Sequence, residues 1–157
     1  MKIIYAVILC AAALAAPALA QEKAADSNMQ ILLDKVKADK KLVVAANMDL
    51  SEAEAKAFWP IYEAYQKDLQ SINGRLGQTI VAYADAYNKK ALTDDLAKQL
   101  TMEALAVDQD ELTLRKTYAA KLNGVLSALK AARYLQIENK IRAAIRYDLA
   151  TGIPLVP

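Results

Sequence analysis

The chain has 157 residues, 55% of them hydrophobic, with 20 Lys and Arg against 18 Asp and Glu, no histidine and a single cysteine. With no histidine and only Cys10 as a thiol, it cannot build a Ser-His-Asp triad, a covalent c-type haem site, a disulfide framework or an ordinary zinc site. The near-neutral total also argues against a basic nucleic-acid face, but the charge is unevenly spread: 91–111 carries one base and six acids, and 112–157 carries eight bases and two acids, a pattern of charge-complementary helices.

The first twenty residues read as a cleaved secretory signal: Lys2 as the positive start, IIYAVILCAAALAA as the apolar run, and Ala18-Leu19-Ala20 as the small-x-small cleavage site, leaving Gln21 as the new N-terminus. Cys10 falls inside the apolar run behind Leu9, where a lipidated cysteine would follow a small residue. The expected location is therefore periplasmic. Residues 21–27 form a polar tail expected to be disordered, ahead of a single helical domain over 28–157.

A first helix is predicted from Asn28 to about Ala46, capped by Ser27 or Asn28, with a turn at Asn47-Met48-Asp49-Leu50. Ser51-Glu52-Ala53-Glu54 is a capping box and opens the second helix. Its apolar line runs Phe58, Tyr62, Tyr65, Leu69, Ile72, Leu76, Ile80, Tyr83 and Tyr87, stepping by three or four throughout. A helix from Glu52 to Asn88 would be about 55 Å long. Asn73-Gly74 and Gly77 interrupt its composition but not the phase of the line, so the helix is read as continuous. Pro60 lies beyond the first turn, where it removes a hydrogen bond to the Lys56 carbonyl and is expected to kink the helix.

Thr93 caps a third helix whose first turn holds Asp94 and Asp95, and whose line of Leu96, Leu100, Ala104, Val107, Leu114, Tyr118 and Leu122 ends near Asn123-Gly124. A fourth runs from near Ser127 to Ala150, closed by Gly152 and Pro154, and followed by the short apolar tail IPLVP. No strand-period segment occurs. The class is all-α: four helices, two of them long, central and amphipathic, forming a bundle or an extended helical-hairpin dimer.

On the last helix Leu129, Arg133, Ile137, Ile141, Ile145 and Leu149 share an i,i+4 row, which would set Arg133 inside an apolar ridge, with Glu138, Arg142 and Arg146 in the row beside it. A guanidinium there requires a carboxylate, with Glu54 and Glu63 as candidates, or an aromatic face such as Trp59, Tyr62 or Tyr65. Trp59 lies off the main line of its helix. Trp59, Tyr62, Arg133, Arg142 and Arg146 are accordingly the candidate partner-binding residues. The carboxylates Asp94, Asp95, Asp108, Asp110 and Glu111 read as a solvated or paired face, since no loop glycine arranges them for a cation. Outside the signal no apolar run is long enough to span a bilayer, although peripheral membrane contact stays open.

The signal, the four predicted helices, the LSEAE helix start at Leu50–Glu54 and the lack of histidine together resemble the Spy/CpxP group of periplasmic stress proteins. Their LTxxQ signature would correspond here to Leu50–Glu54 and Leu92–Leu96, both without its glutamine. That resemblance implies a helical, cradle-like dimer that binds unfolded envelope proteins without ATP. A fuller resemblance, over nearly all of the chain after the signal, is to short exported bacterial proteins of unassigned function sharing FWPxYxxY and RYxQIENKIRAxxRYDLAxxIPLV, here Phe58–Tyr65 and Arg133–Val156. The expectation is a non-enzymatic, cofactor-free, dimeric binding protein for flexible or unfolded protein segments. The alternative is a structural or signalling adaptor that docks one envelope partner.

Overall fold

The computed structural model describes residues 39–157. The expected signal peptide, the polar tail and the cap of the first helix at Ser27 or Asn28 lie outside the described residues. Among those described there are four helices and no strand: α1 over 39–48, α2 over Glu52–Asn88, α3 over Asp94–Asn123 and α4 over Ala128–Gly152.

Local chemistry sets each boundary. The residue after α1, Asp49, takes a left-handed conformation (φ 48°), which aspartate tolerates better than most side chains. Ser51 then accepts from the Glu54 amide while the Glu54 carboxylate accepts from the Ser51 amide at 2.8 Å, a complete capping box. At the other end of α2, Lys90 is left-handed (φ 53°); its amide donates to the Tyr87 carbonyl and that of Ala91 to the Ala86 carbonyl. This is a Schellman closure, with lysine where glycine is usual. Thr93 caps α3 and Ser127 caps α4. α4 extends two residues beyond the expected Ala150, and Gly152 is its last residue, with no left-handed glycine beyond it. Pro154 ends the helix, because the residue before a proline is pushed out of the helical region, and Ile153 is extended.

α2 is unbroken from Glu52 to Asn88, through Pro60 and across Gly74 and Gly77. Gly74 is exposed, and a Cβ there would meet nothing within 4 Å. Gly74→Ala is therefore expected to stabilise the fold by about 1 kcal/mol, by restricting the unfolded chain at no steric cost. Thermal unfolding followed by circular dichroism measures it; a lower midpoint would mean that α2 is not helical there.

α2 and α3 form an antiparallel hairpin that packs along its length. The Tyr118 hydroxyl donates to Asp68 at 2.7 Å, and Arg75 reaches Glu103 and Asp110 of α3. α4 runs parallel to α2: Lys130 pairs with Glu54, Gln66 with Glu138, and Tyr83 donates to the Pro154 carbonyl. α1 is antiparallel to both, since Lys41 pairs with Glu63 and Lys40 with Glu138, while Lys130 reaches back to the Asp49 carbonyl. The arrangement is an up-down-up-down bundle. Among the described residues no Cα of α4 comes within 8 Å of α2, as expected for a diagonal pair.

At the α1 end large side chains bridge that diagonal. Phe58, Tyr62, Tyr65 and Tyr134 meet edge-on or tilted with centroids 5.1–6.1 Å apart, and Val44, Met48 and Leu122 close around them.

Candidate binding groove

Beyond Tyr65 the diagonal is no longer bridged by rings. The next residues on the α2 line, Leu69, Leu76 and Ile80, face Ile141, Ile145 and Leu149 of α4 across a cavity of about 300 Å³. A second cavity of about 430 Å³ continues from it, sharing Leu76, Ile80, Arg146 and Leu149 and reaching Ile153 and Val156 of the tail. Together they form an apolar groove walled by α2, α3 and α4. Gly77 lies on its wall, where a Cβ would meet nothing within 4 Å.

Two buried carboxylates flank the groove. Glu138 is 4% exposed and accepts from Lys40 Nζ at 2.8 Å and Gln66 Nε2 at 3.0 Å. Gln66 uses its whole amide, since its Oε1 accepts from the same lysine and its Nε2 also reaches the Tyr134 hydroxyl at 3.3 Å, tying α1, α2 and α4 together. Glu111 is 5% exposed and lies against Arg146 Nη2 at 3.3 Å and Arg142 Nε at 3.5 Å. Arg146 also holds Asp108. The Arg142 contact is an ion pair without hydrogen-bond alignment: Arg142 Nε and Arg115 Nε are both buried donors lacking an acceptor, and both residues line the groove. Four bases and two acids line the 300 Å³ section, so this part of the apolar channel carries an excess of positive charge.

The structure places the sequence-predicted residues on different faces. Arg142 and Arg146 come together on the groove. Trp59 is half-buried against the aromatic core, edge-on to Phe58 and Tyr62, and the cation over its ring is Lys41 at 5.2 Å rather than Arg133. Tyr62 is buried in the core itself, and burial with the nearby negative charge of Glu138 pushes its phenol up to about 12. Arg133 is exposed beside a shallow depression with Val43 and Asn47. The expected acids are taken by lysines: Glu63 by Lys41, and Glu54 by Lys130, which with the Ser51 amide holds the Glu54 carboxyl below the usual carboxylate range.

The reason lies in the face α4 presents. Its buried line is Ala131, Tyr134, Glu138, Ile141 and Ala144, while Leu129, at the head of the expected ridge, is 86% exposed. The row chosen for its aliphatic content stands one position off the true one. Arg115 was not singled out in the sequence, Glu138 was named only as a neighbour of Arg142 and Arg146, and Glu111 only as part of an acidic face solvated or paired; the structure pairs it with Arg142 and Arg146. Glu111 falls on the α3 line between Val107 and Leu114, and that seven-residue gap in an otherwise regular stripe was the available signal.

Among the described residues no cluster of acids could hold a metal ion, and no helix is long and apolar enough to cross a membrane. No family model matches the chain, and no match to it is found among curated proteins or solved structures.

Proposed function

We propose that this chain is an exported, periplasmic, non-enzymatic binding protein that holds flexible apolar segments of envelope proteins without ATP, in the manner of the Spy/CpxP group. The observation that carries this reading is the apolar groove along α2 and α4 with two buried, acceptor-free guanidinium donors in its wall. Such a site offers unspecific apolar contact to a side chain and unmade hydrogen bonds to the carbonyls or carboxylates of an unfolded segment. The cleavable signal read from the first twenty residues supports the location.

A second reading, the adaptor, draws on another surface. Met102 and Leu105 of α3 are 60% and 57% exposed and continue to Leu112, a narrow stripe suited to one partner helix or to a second copy of the chain as a homodimer.

The test is suppression of aggregation. Mature chain is added to a reduced, aggregating client and light scattering is followed; suppression at near-stoichiometric ratio is expected. Ile145→Asp in the groove should weaken it at least about tenfold, the scale of one buried charge, while Leu105→Asp leaves it unchanged. No suppression at any ratio or salt concentration rejects the chaperone reading, and loss with Leu105→Asp alone transfers the function to the α3 stripe.

A further inference from the structure

The two sections of the groove differ in what they leave unsatisfied. In the 430 Å³ section every polar side chain of the lining has a partner: Thr79 and Thr101 donate to the Arg75 and Ala97 carbonyls of their own helices, Tyr83 donates to the Pro154 carbonyl, and Arg146 holds Asp108 and Glu111. The rest of that lining is aliphatic, so the section suits an occupant with nothing to hydrogen-bond. Ile153 and Val156 line its far end, where the Tyr83 contact ties the tail to α2.

In the 300 Å³ section a charge is left over. Lys40 pairs with Glu138, Arg142 with Glu111, and Arg146 with Asp108 beside it, which leaves Arg115. Arg115 makes no ion pair among the described residues, and its buried Nε, like that of Arg142, lacks an acceptor. A guanidinium is not deprotonated in proteins, so an unmatched one on an apolar wall favours an anion. We infer that the groove binds a long-chain fatty acid, its carboxylate on Arg115 and Arg142 and its acyl chain running past Leu76 and Ile80 toward Ile153 and Val156.

Charge, length and wall chemistry agree on that occupant. One unmatched cation fits a head of single negative charge, and a carboxylate takes two parallel hydrogen bonds from a guanidinium. From Arg142 to Ile153 the α4 wall runs about 16 Å. A staggered chain of bonds near 1.5 Å advances about 1.3 Å per carbon, so roughly twelve carbons occupy that length. The walls are helices whose backbone groups are hydrogen-bonded internally. A polypeptide in the depth of the groove would strand its amides there, whereas an acyl chain has none. A client segment would keep its backbone at the mouth, and the fatty acid is a separate occupant that does not depend on the client reading.

Calorimetric titration of the mature chain with dodecanoate, below its micelle concentration, tests this. One dodecanoate per chain is expected, with affinity rising about fourfold per methylene from octanoate upward, the scale of a buried CH2. Dodecanol and dodecyltrimethylammonium should bind at least about tenfold more weakly, the scale of a hydrogen bond to a charged group. Arg115→Gln removes a charge with no partner to lose; it should cost dodecanoate about tenfold and leave dodecanol binding and thermal unfolding unchanged. Gly77→Leu, where a Cβ meets nothing within 4 Å, should obstruct the channel and weaken every chain length without lowering the melting temperature. Equal affinity for the alcohol or the cation, several dodecanoates per chain, or undiminished binding by Arg115→Gln overturns the inference. The aggregation assay separates it from the client reading. Suppression lost on saturation with dodecanoate puts both occupants in the groove, and suppression retained leaves the fatty acid there and moves the client elsewhere. Dodecanoate binding without any suppression keeps the fatty acid and rejects the client; suppression without dodecanoate binding does the reverse.

Discussion

Glu138→Ala is expected to cost the fold about 3 kcal/mol, the scale for removing one partner of a buried ion pair. The carboxylate is almost wholly enclosed and, from α4, accepts from Lys40 of α1 and Gln66 of α2, so it joins three helices. Alanine removes the charged acceptor and leaves Lys40 only the Gln66 Oε1 and Gln66 Nε2 only the longer contact to the Tyr134 hydroxyl, at the level where the aromatic core gives way to the groove. Lys40 keeps some contact with water, with 22% of its side chain exposed, which places the cost at the lower end of the usual range. A double replacement, Lys40→Met with Glu138→Leu, should recover most of the loss, because the penalty comes from stranded polar groups rather than from any large net gain of the pair. Urea unfolding of the two single variants and the double variant gives the coupling; single effects below about 1 kcal/mol that simply add would show that the pair is solvated and unimportant.

The second large effect is alkaline. Burial first, and then neighbouring carboxylates, keep the core phenols protonated: Tyr62 and Tyr118 are each pushed up to about 12, and Tyr65 and Tyr134 higher still. In the unfolded chain they ionise at their ordinary value of 10.0. Below pH 10 both states hold these protons and the advantage of the fold is complete. Above it the unfolded chain releases protons that the fold retains, so stability falls by about 1.4 kcal/mol per pH unit for each such tyrosine. Tyr65 and Tyr134 together remove roughly 3 kcal/mol per unit, against the 5–15 kcal/mol total of a typical domain. Cooperative unfolding is therefore expected between about pH 10 and pH 12, with helical dichroism lost as phenolate absorbance appears. Tyr134→Phe should make the pH dependence shallower by one proton. Ionisation of every tyrosine with helicity intact would mean that the rings are not enclosed.

The elements themselves were legible because their signals are local. The Ser51 and Thr93 caps, the unbroken phase of the α2 line across two glycines and the Asn123-Gly124 break all depend on residues within a few turns of one another, and the helices begin and end close to where those signals lie. The groove was not legible in that way. Which row of α4 faces inward depends on how α4 rolls against α2 and α3. The aliphatic row headed by Leu129 outweighed the Ala131, Tyr134, Glu138 row, although the latter supplies the ring that bridges to Phe58 and the carboxylate that clips α1 to α2.

By itself the sequence determined that the protein is all-α, that α2 and α3 are long, and that acids crowd 91–111 while bases crowd 112–157, since these follow from periodicity, capping and composition along a single strand of chain. Only the tertiary structure decided how the charges are spent. The acids of α3 face Arg75, Arg142 and Arg146 within the same chain, Lys41 rather than Arg133 covers Trp59, and the α2 line divides into an aromatic core before Leu69 and an apolar channel after it. The physical reason is that two diagonal helices of a bundle stay apart unless large side chains span them, and whether such side chains meet at the same level is a property of register between helices, which no local pattern records.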